Sequence, residues 1–455
     1  MTMETKLKST TRLIADMGEA RRLLTRRRGF EETELSPHMR EGVQRVFGED
    51  LSAEEAVARI LEDVRRDGDA AIRRYAAALQ GHVPNQLEVP RERWKNALAE
   101  LDPELQSALR LAAVQITAFH RKQLRTSWID YSEEGALGQV VRPLDRVGVY
   151  TPGGTAVYPS SLLMTAIPAR VAGVNEIIVC TPAGPDGTIS PLILAAAEVA
   201  NIDRLFVVGG AQAIGAMAYG TASIPHVDKI FGPGNIFVVL AKRQVYGLVD
   251  IDQLPGPTET LIVADESADP ELVAADLLAQ AEHDPMASSI LITTSPMLAH
   301  AVLEELPLQL ADLERAEIAA ESLATNGTIV LAPDIEAAID LANAYAPEHL
   351  CLLLHDPWSV VPYVRNAGGI FVGEDSPEAL GDYTAGPSHV MPTGGTARFS
   401  SPIHVGEFTK VISIAALNQI AMRRLGPATS VLARAEGLTA HARAIERRLE
   451  RLDPS

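Results

Sequence analysis

The sequence predicts an α/β protein with two parallel-sheet domains between a helical N-terminal region and a helical C-terminal tail. The first observation is two series of short apolar runs that alternate with helical segments, at residues 147–150, 177–180, 205–208 and 229–231, and then at 261–264, 290–292, 329–331, 350–354 and 370–372. Such alternation is typical of βα units and a mainly parallel sheet. The second observation is the Pro- and Gly-rich stretch 254–257, which interrupts the chain between the two series.

The helical flanks follow from their own patterns. Ser52 and Glu55 have the spacing of a helix capping box and precede an amphipathic run over residues 56–79. After Gly381 the strand pattern fades, and residues from about 412 onward predict a helical tail. The predicted domains are therefore 1–125, 126–255, 256–385 and 386–455. In such folds ligands bind at the carboxyl ends of the strands, often between domains, so we expect a site there.

Composition narrows the classes of function. The 455 residues are 47% hydrophobic and 22% charged, which is ordinary for a soluble globular protein. The formal net charge of −19 argues against a nucleic-acid partner, because phosphate binding needs a basic surface. A cationic cluster at residues 26–28 has acidic residues upstream, which indicates a solvated helix face.

Neither a membrane nor an oxidising compartment is indicated. No apolar run approaches the ~18 residues that a membrane span needs, and no signal segment is recognisable, so we expect a cytoplasmic protein. The two cysteines, Cys180 and Cys351, lie in apolar runs, as buried strand cysteines often do. Two such cysteines exclude a disulfide framework and a cysteine zinc site.

Two Glu-His dipeptides, Glu282-His283 and Glu348-His349, are the strongest chemical signal. An imidazole can bind a metal or transfer a proton near neutral pH, and a neighbouring carboxylate can activate water. Together with an aspartate and a histidine later in the chain, the two dipeptides suggest a metal site beside an acid–base site.

The first dipeptide ends a predicted helix. Asp269 and Pro270 are typical of a helix start, and the helix should run to about His283. Gln280 and His283 are three residues apart, so both point off one face near its C-terminal end. Imidazole is a usual zinc ligand and glutamine a rare one, and a histidine at a helix end also commonly caps carbonyl groups. The spacing alone leaves both interpretations open.

Two later segments are ambiguous by themselves. Asp382 lies in a glycine-rich loop after the predicted strand at 370–372, where it either faces a cleft or belongs to an ordinary turn. Glu436 and His441 are five residues apart and do not share a close helical face, so alone they indicate an ordinary amphipathic helix.

Glycine-rich segments end three of the predicted strands, at residues 150–154, 208–215 and 231–235. Backbone amides at such turns can hold phosphate oxygens at low steric cost. The usual G-x-G-x-x-G fingerprint is absent, so the spacing gives dinucleotide binding only partial support.

Together these segments resemble the histidinol dehydrogenase family, zinc- and NAD-dependent enzymes of histidine biosynthesis. The matching runs are 147–154, 209–214, 229–235, 241–245, 256–259, 280–283, 346–349, 381–383, 389–393 and 436–441, in the family's order and spread over about residues 50–445. Each run is weak alone, and the set is specific. The resemblance implies two incomplete Rossmann-like domains and a homodimer that exchanges its C-terminal tails.

The resemblance also implies a role for each matching residue. The zinc ligands, which also form the substrate pocket, would be Gln280, His283, Asp382 and His441. Glu348 would be the base that activates water, and His349 would shuttle protons during both hydride transfers. The residues that contact NAD would be Tyr150, Gln212 and Asn235. The residues that contact the amino alcohol would be Thr258, His389 and Glu436. Glu436 and His441 would reach the active site of the partner subunit.

The implied activity is oxidation of L-histidinol to L-histidine through L-histidinaldehyde, with two NAD and one water. Zinc would hold the imidazole and amine nitrogens of the substrate and orient its alcohol carbon toward the nicotinamide. Two departures from the family pattern concern the substrate pocket: Thr258 stands where serine is usual, and Ser388 stands where asparagine is common.

Three other functions compete with this one. A related zinc- and NAD-dependent dehydrogenase of another polar alcohol, such as sulfopropanediol, would have similar machinery. Glu436 argues against it, because a carboxylate suits an ammonium group and repels a sulfonate. A non-enzymatic two-domain binding protein would not need an adjacent Glu-His pair, and a zinc hydrolase would not need several glycine-rich strand ends.

Overall fold

The structure is a computed structural model that describes residues 11–25, 37–81, 83, 86–153, 157–184 and 186–452. The cationic cluster at 26–28 and Gly154 of the first glycine-rich segment lie outside the described residues.

The N-terminal region is mainly helical, as predicted. It contains strand β1 (Arg12–Ile14) and helices α1 (Met17–Leu24), α2 (Pro37–Phe47), α3 (Ala53–Asp67), α4 (Asp69–Gln80), α5 (Arg91–Glu100) and α6 (Pro103–Arg121). The capping box at Ser52 and Glu55 is present. The amphipathic run that follows is divided between α3 and α4 at Gly68, whose φ of 55° is a conformation that glycine adopts at low cost.

A hairpin that the sequence analysis did not predict leads into the first sheet. Its strands are β2 (Trp128–Ser132) and β3 (Gly135–Pro143), which pair in antiparallel fashion. The side chains of β2 are exposed, so the strand has no buried face to produce an alternating pattern.

The first predicted series of apolar runs forms a five-stranded parallel sheet. Its strands are β4 (Arg146–Tyr150), β5 (Glu176–Thr181), β6 (Arg204–Val207), β7 (Lys229–Phe231) and β8 (Asp250–Ile251), in the order β6-β5-β4-β7-β8. The helices between them are α7 (Pro159–Ala172), α8 (Pro191–Val199), α9 (Gly210–Tyr219) and α10 (Ile236–Val245). Strands β4–β7 are largely buried on both faces, which explains their continuous apolar runs, whereas the short edge strand β8 was not predicted.

The second series forms a six-stranded parallel sheet. Its new strands are β9 (Glu259–Ala264), β10 (Ser288–Thr293), β11 (Thr328–Leu331), β12 (His349–Leu353) and β13 (Gly369–Val372), in the order β1-β11-β10-β9-β12-β13. Its helices are α11 (Pro270–Ala281), α12 (Pro296–Leu310), α13 (Ala316–Asn326), α14 (Ile335–Tyr345) and α15 (Glu378–Tyr383). The prediction of helix alone for the N-terminal region is wrong at β1, because this strand extends the second sheet beside β11.

The C-terminal tail begins with a strand. Strand β14 (Thr409–Leu417) pairs with β3 and precedes helices α16 (Gln419–Ala435) and α17 (Thr439–Leu452). The prediction that the helical tail starts near residue 412 is therefore wrong, because residue 412 lies within β14 and the first helix of the tail begins only at Gln419. The side chains of β14 are mostly exposed, so its apolar residues do not form the one-sided pattern of a buried strand.

Each parallel sheet has a hydrophobic core on both faces. The first sheet packs against α5–α8 on one face and against α3, α4, α9 and α10 on the other. The predicted fold class is thus confirmed: two incomplete Rossmann-like sheets flanked by helical regions. Cys180 and Cys351 are buried and free, as predicted. Across the described ranges, no helix is both long and apolar enough to cross a membrane.

Candidate active site

The predicted site residues lie at different ends of the strands in the two sheets. In the first sheet, Tyr150 ends β4, while Gln212 and Asn235 follow β6 and β7, so all three lie at the carboxyl edge. In the second sheet, Thr258 immediately precedes β9, and Glu348 immediately precedes β12. The predicted site residues therefore lie at the carboxyl ends of the strands in the first sheet, as expected for a site there, but at the amino ends in the second sheet.

Glu348 is a buried carboxylate, 7% exposed, with two donors on one oxygen. Its Oε2 accepts hydrogen bonds from Thr258 Oγ1 at 2.6 Å and from the backbone N–H of Glu259 at 3.0 Å. Burial raises the pKa of Glu348, and the neighbouring His349 and the Thr258 hydroxyl act against this rise. The arrangement holds the carboxylate in one orientation and makes it a stronger base than an exposed glutamate.

His349, the first residue of β12, is buried between two acceptors. Its Nδ1 lies 3.1 Å from the carbonyl oxygen of Glu259, which can only accept, so Nδ1 carries a proton. Its Nε2 lies 3.3 Å from Asp382 Oδ1. Burial lowers the pKa of His349, but the charge of Glu348 and the hydrogen bond to Asp382 outweigh it and raise the pKa to about 10. Nε2 is therefore the nitrogen that can exchange a proton with a ligand.

Asp382 lies in the last turn of helix α15 and not in the loop that the sequence predicted. Glu378, four residues earlier on the same helix, was missed by the sequence analysis. It is buried and accepts a hydrogen bond from Thr260 Oγ1. Burial raises the pKa of Glu378 to about 7, against the effect of His349. Had the helix been recognised, the four-residue spacing would have placed both carboxyl groups on one face.

Gln280 and His283 stand at the end of α11. Asp269 caps the start of this helix as predicted, and His283 lies two residues beyond its end. The buried amide of Gln280 has Thr258 Oγ1 and Glu259 N at 2.7 Å on one side and Glu378 Oε1 at 3.3 Å on the other. Burial lowers the pKa of His283, and the charge of Asp382 acts in the opposite direction.

His389 connects this cluster to the first sheet. Its Nδ1 donates to the backbone oxygen of Asp382 at 2.7 Å, so its Nε2 accepts from Ser161 Oγ of helix α7 at 3.1 Å. Ser388 donates to the backbone oxygen of Met164, also in α7, at 3.2 Å. Ser161, which the sequence analysis did not single out, thus fixes the orientation of a predicted substrate contact.

The predicted zinc ligands do not all meet within one chain. Among the described residues, no group of three or more His, Cys, Asp or Glu side chains is arranged to hold a metal ion. Gln280, His283 and Asp382 lie around His349 and Thr258, whereas His441 is exposed on α17 in the tail. Glu436, also in the tail, is exposed as well. In the part of the chain that the structure describes, α16 and α17 make extensive contact only with each other.

The chemistry of the three clustered donors nevertheless suits a divalent cation. They offer an amide oxygen, an imidazole and a carboxylate, all of which zinc accepts in proteins, although glutamine is rare. Several buried carboxyl groups also surround them, and the charge of Asp382 contributes to raising the pKa values of Glu348 and Glu378. A cation at Asp382 would offset this repulsion, so the residues present fit zinc if a fourth donor is supplied.

The edge of the first sheet has features that fit a polar cofactor. The Tyr150 hydroxyl accepts a hydrogen bond from Gly210 N at 3.0 Å, and burial raises the pKa of Tyr150 to about 12. Gln212 Oε1 is buried and has no hydrogen-bond partner among the described residues. Asn235 caps helix α10 through its Oδ1, which accepts from Phe237 N at 3.1 Å. A buried amide oxygen without a partner is rare unless a ligand or water satisfies it.

Comparison with known proteins shows the family of this chain. The family model described as histidinol dehydrogenase matches residues 44–449. A histidinol dehydrogenase of Deinococcus radiodurans is 54% identical over 95% of this chain and 98% of its own length. One from Thermus thermophilus is 53% identical over 88% of this chain and 95% of its own length.

A solved structure gives the same result at the level of the fold. The crystal structure of histidinol dehydrogenase from Elizabethkingia anophelis superimposes with a TM-score of 0.89 at 33% identity, and the match covers 97% of this chain and 99% of that one. The buried Glu-His pair and the glycine-rich strand ends also predict an oxidoreductase. The family match therefore does not favour a binding protein or a zinc hydrolase. On sequence, fold and site together, this chain belongs to the histidinol dehydrogenase family.

Proposed function

We propose that this chain oxidises L-histidinol to L-histidine through L-histidinaldehyde, consuming two NAD and one water. The observation that carries the proposal is the buried pair Glu348 and His349, with the Thr258 hydroxyl donating to Glu348 and Asp382 facing His349 Nε2. His349 can exchange a proton with the substrate hydroxyl, and Glu348 can activate water. The sulfopropanediol alternative has no observation in its favour.

In the first oxidation, His349 accepts the proton of the substrate hydroxyl as hydride leaves the carbon that bears this hydroxyl. Nε2 is the accepting atom, because Nδ1 already donates to the carbonyl of Glu259. The charge of Glu348 and the hydrogen bond to Asp382 together raise the pKa of His349, so His349 would accept a proton more readily once a cation held by Asp382 offset part of this negative charge. Bound zinc would supply that charge and polarise the substrate, and NAD would accept the hydride.

In the second oxidation, the aldehyde must first be hydrated. Glu348 is the base for this step, because its carboxylate is buried and oriented by two donors. It removes a proton from water as the water oxygen adds to the carbonyl carbon, and His349 returns the proton taken in the first oxidation to the former carbonyl oxygen, which completes the hydrate. The hydrate then loses hydride, which the second NAD would accept. His349 again accepts the hydroxyl proton. Burial of this site protects the aldehyde between the two steps.

The proposal includes a homodimer with shared active sites. Gln280, His283 and Asp382 would ligate zinc with His441 of the partner tail, and Glu436 of that tail would bind the substrate ammonium. His389 and Thr258 would complete the pocket, and Tyr150, Gln212 and Asn235 would contact NAD. Exposed apolar side chains on the hairpin and tail, among them Trp128, Ile412 and Leu432, support a second copy as their partner. The four domains, 1–125, 126–255, 256–385 and 386–455, belong to the same proposal.

The test of the proposed function is NADH formation from purified protein with L-histidinol. We expect two NADH per histidinol, loss of turnover on chelation, and recovery when zinc is restored. A folded, zinc-loaded protein that does not turn over L-histidinol would contradict the proposal and direct attention to Thr258 and Ser388.

Replacing Thr258 by alanine should lower kcat/KM for L-histidinol by about tenfold. The substitution removes the hydroxyl that donates to Glu348, and a hydrogen bond to a charged group contributes about 1.5 kcal/mol or more. Thr258→Ser keeps the donor and is the matched control, so steady-state kinetics should show near-normal kcat/KM for it. Equal losses in the two variants would show that the methyl group, and not the hydroxyl, matters.

A further inference from the structure

A buried ion pair lies beneath the carboxyl edge of the first sheet. Lys242, on helix α10, is fully buried, and the side chain of Asp252 is 3% exposed. Lys242 Nζ donates to Asp252 Oδ1 and, at 3.0 Å, to the backbone oxygen of Gly232. Neither residue contacts the catalytic groups directly, and the mechanism above does not use them.

The pair forms hydrogen bonds with both backbone polar groups of Gly232. The carbonyl oxygen of Gly232 accepts a hydrogen bond from Lys242 Nζ, and its N–H donates to Asp252 Oδ2 at 2.7 Å. Gly232 has a φ of 106°, and a Cβ there would lie 2.1 Å from the backbone oxygen of Tyr150. The backbone of the loop 232–235 thus packs closely against β4 at Tyr150, and the loop ends at Asn235, the N-cap of α10.

Asp252 also begins the connection to the second sheet. Its Oδ1 accepts from Gln253 N at 2.6 Å, and the Gln253 side chain donates to the backbone oxygen of Met391 at 2.8 Å. Further along, Gly256 N donates to Thr393 Oγ1 at 2.6 Å. Two residues later, the chain reaches Thr258, which donates to Glu348. One short segment therefore joins the loop at 232–235 to the catalytic carboxylate.

Stability alone is a poor explanation for such a pair. Desolvation of two charges offsets most of their attraction, and apolar residues of similar volume often replace a buried pair without loss of stability. Apolar residues cannot form the two hydrogen bonds that the pair makes with the N–H and the C=O of Gly232. The geometry of the pair is suited to fixing the position of a loop.

We infer that Lys242 and Asp252 are positioning residues that place the loop 232–235 for NAD and set its distance from Glu348 and His349. This inference rests on the proposed function, because it takes the carboxyl edge of the first sheet as the NAD site. The loop contributes Asn235 and backbone N–H groups to that edge, and hydride transfer tolerates little displacement between cofactor and substrate.

The experiment compares three variants by NADH titration, urea unfolding and steady-state kinetics. Lys242→Met alone leaves Asp252 unpaired, so both stability and NADH affinity should fall. The double variant Lys242→Met/Asp252→Leu removes both charges, so we expect stability close to wild type. Its Kd for NADH and its KM for NAD should nevertheless rise about tenfold, the factor that corresponds to about 1.4 kcal/mol. KM for L-histidinol should stay near the wild-type value.

Lys229→Met is the matched control. Lys229 is another buried lysine, on β7, and it pairs with Asp250 at 2.9 Å and Glu407 at 2.5 Å, away from the loop. It should lose stability but keep the wild-type Kd for NADH. A double variant that is stable and binds NADH like wild type would overturn the inference. Wild-type protein that binds no NADH would instead contradict the proposed function, on which the inference depends.

Discussion

Replacing Glu348 by glutamine should slow the conversion of L-histidinaldehyde to L-histidine by about 10²–10⁴-fold, the usual contribution of a general base. Glutamine has nearly the same shape and can still accept the hydrogen bond from Thr258, but it cannot take a proton from water. Oxidation of the alcohol depends on His349 Nε2, so it should lose less. Single-turnover NADH formation from the alcohol, and from the aldehyde supplied directly, separates the two steps.

The chain contains its own control for this prediction. Glu282 precedes His283 as Glu348 precedes His349, but it caps the end of α11 and is partly exposed. Glu282→Gln should leave both half-reactions near wild type. Equal losses in the two half-reactions of Glu348→Gln would contradict the division of roles between Glu348 and His349.

The second large effect concerns the C-terminal tail. His441→Asn should weaken zinc binding and lower activity strongly, because it removes the proposed fourth ligand, which stands outside the cluster of Gln280, His283 and Asp382. Metal content after dialysis against a chelator of known affinity measures the zinc loss without depending on turnover. Normal zinc content and activity in this variant would show that the tail is not a ligand donor.

Whether the tail belongs to the partner can be decided by complementation. His441→Asn and His283→Asn each remove one ligand, so each homodimer should be nearly inactive. If tails are exchanged, a hybrid dimer carries both lesions in one site and none in the other. Hybrids isolated by two different affinity tags should then recover about half of the wild-type activity. An inactive hybrid would mean that each chain builds its own site.

The elements that the sequence predicted well are those with two buried faces. Strands β4–β7 and β9–β12 have continuous apolar runs because helices cover both sides of each sheet. The helix caps at Ser52 and Asp269 were also readable, since a cap is a local interaction. Strands β2 and β14 were not, because their exposed side chains show no buried face.

The residues of the candidate site also differ in whether their neighbours in the chain made them recognisable. Glu348, His349, Gln280 and Asp382 were predicted because their residue types and their neighbours in the chain match a known family. Glu378, Thr260 and Ser161 were missed, since each acts on a residue far away in the sequence. Thr260 donates to Glu378, and Ser161 donates to His389, across 118 and 228 residues respectively.

By itself, then, the sequence determined the fold class, the family and the residue types available for acid–base and metal chemistry. Only the tertiary structure decided that the proposed catalytic pair lies at the amino end of β12, that Glu348 and Asp382 raise the pKa of His349, and that His441 stands apart from the other three proposed ligands. The physical reason is that hydrogen bonds and charges act through space over a few ångströms. Residues that meet at that distance leave no local pattern in the chain.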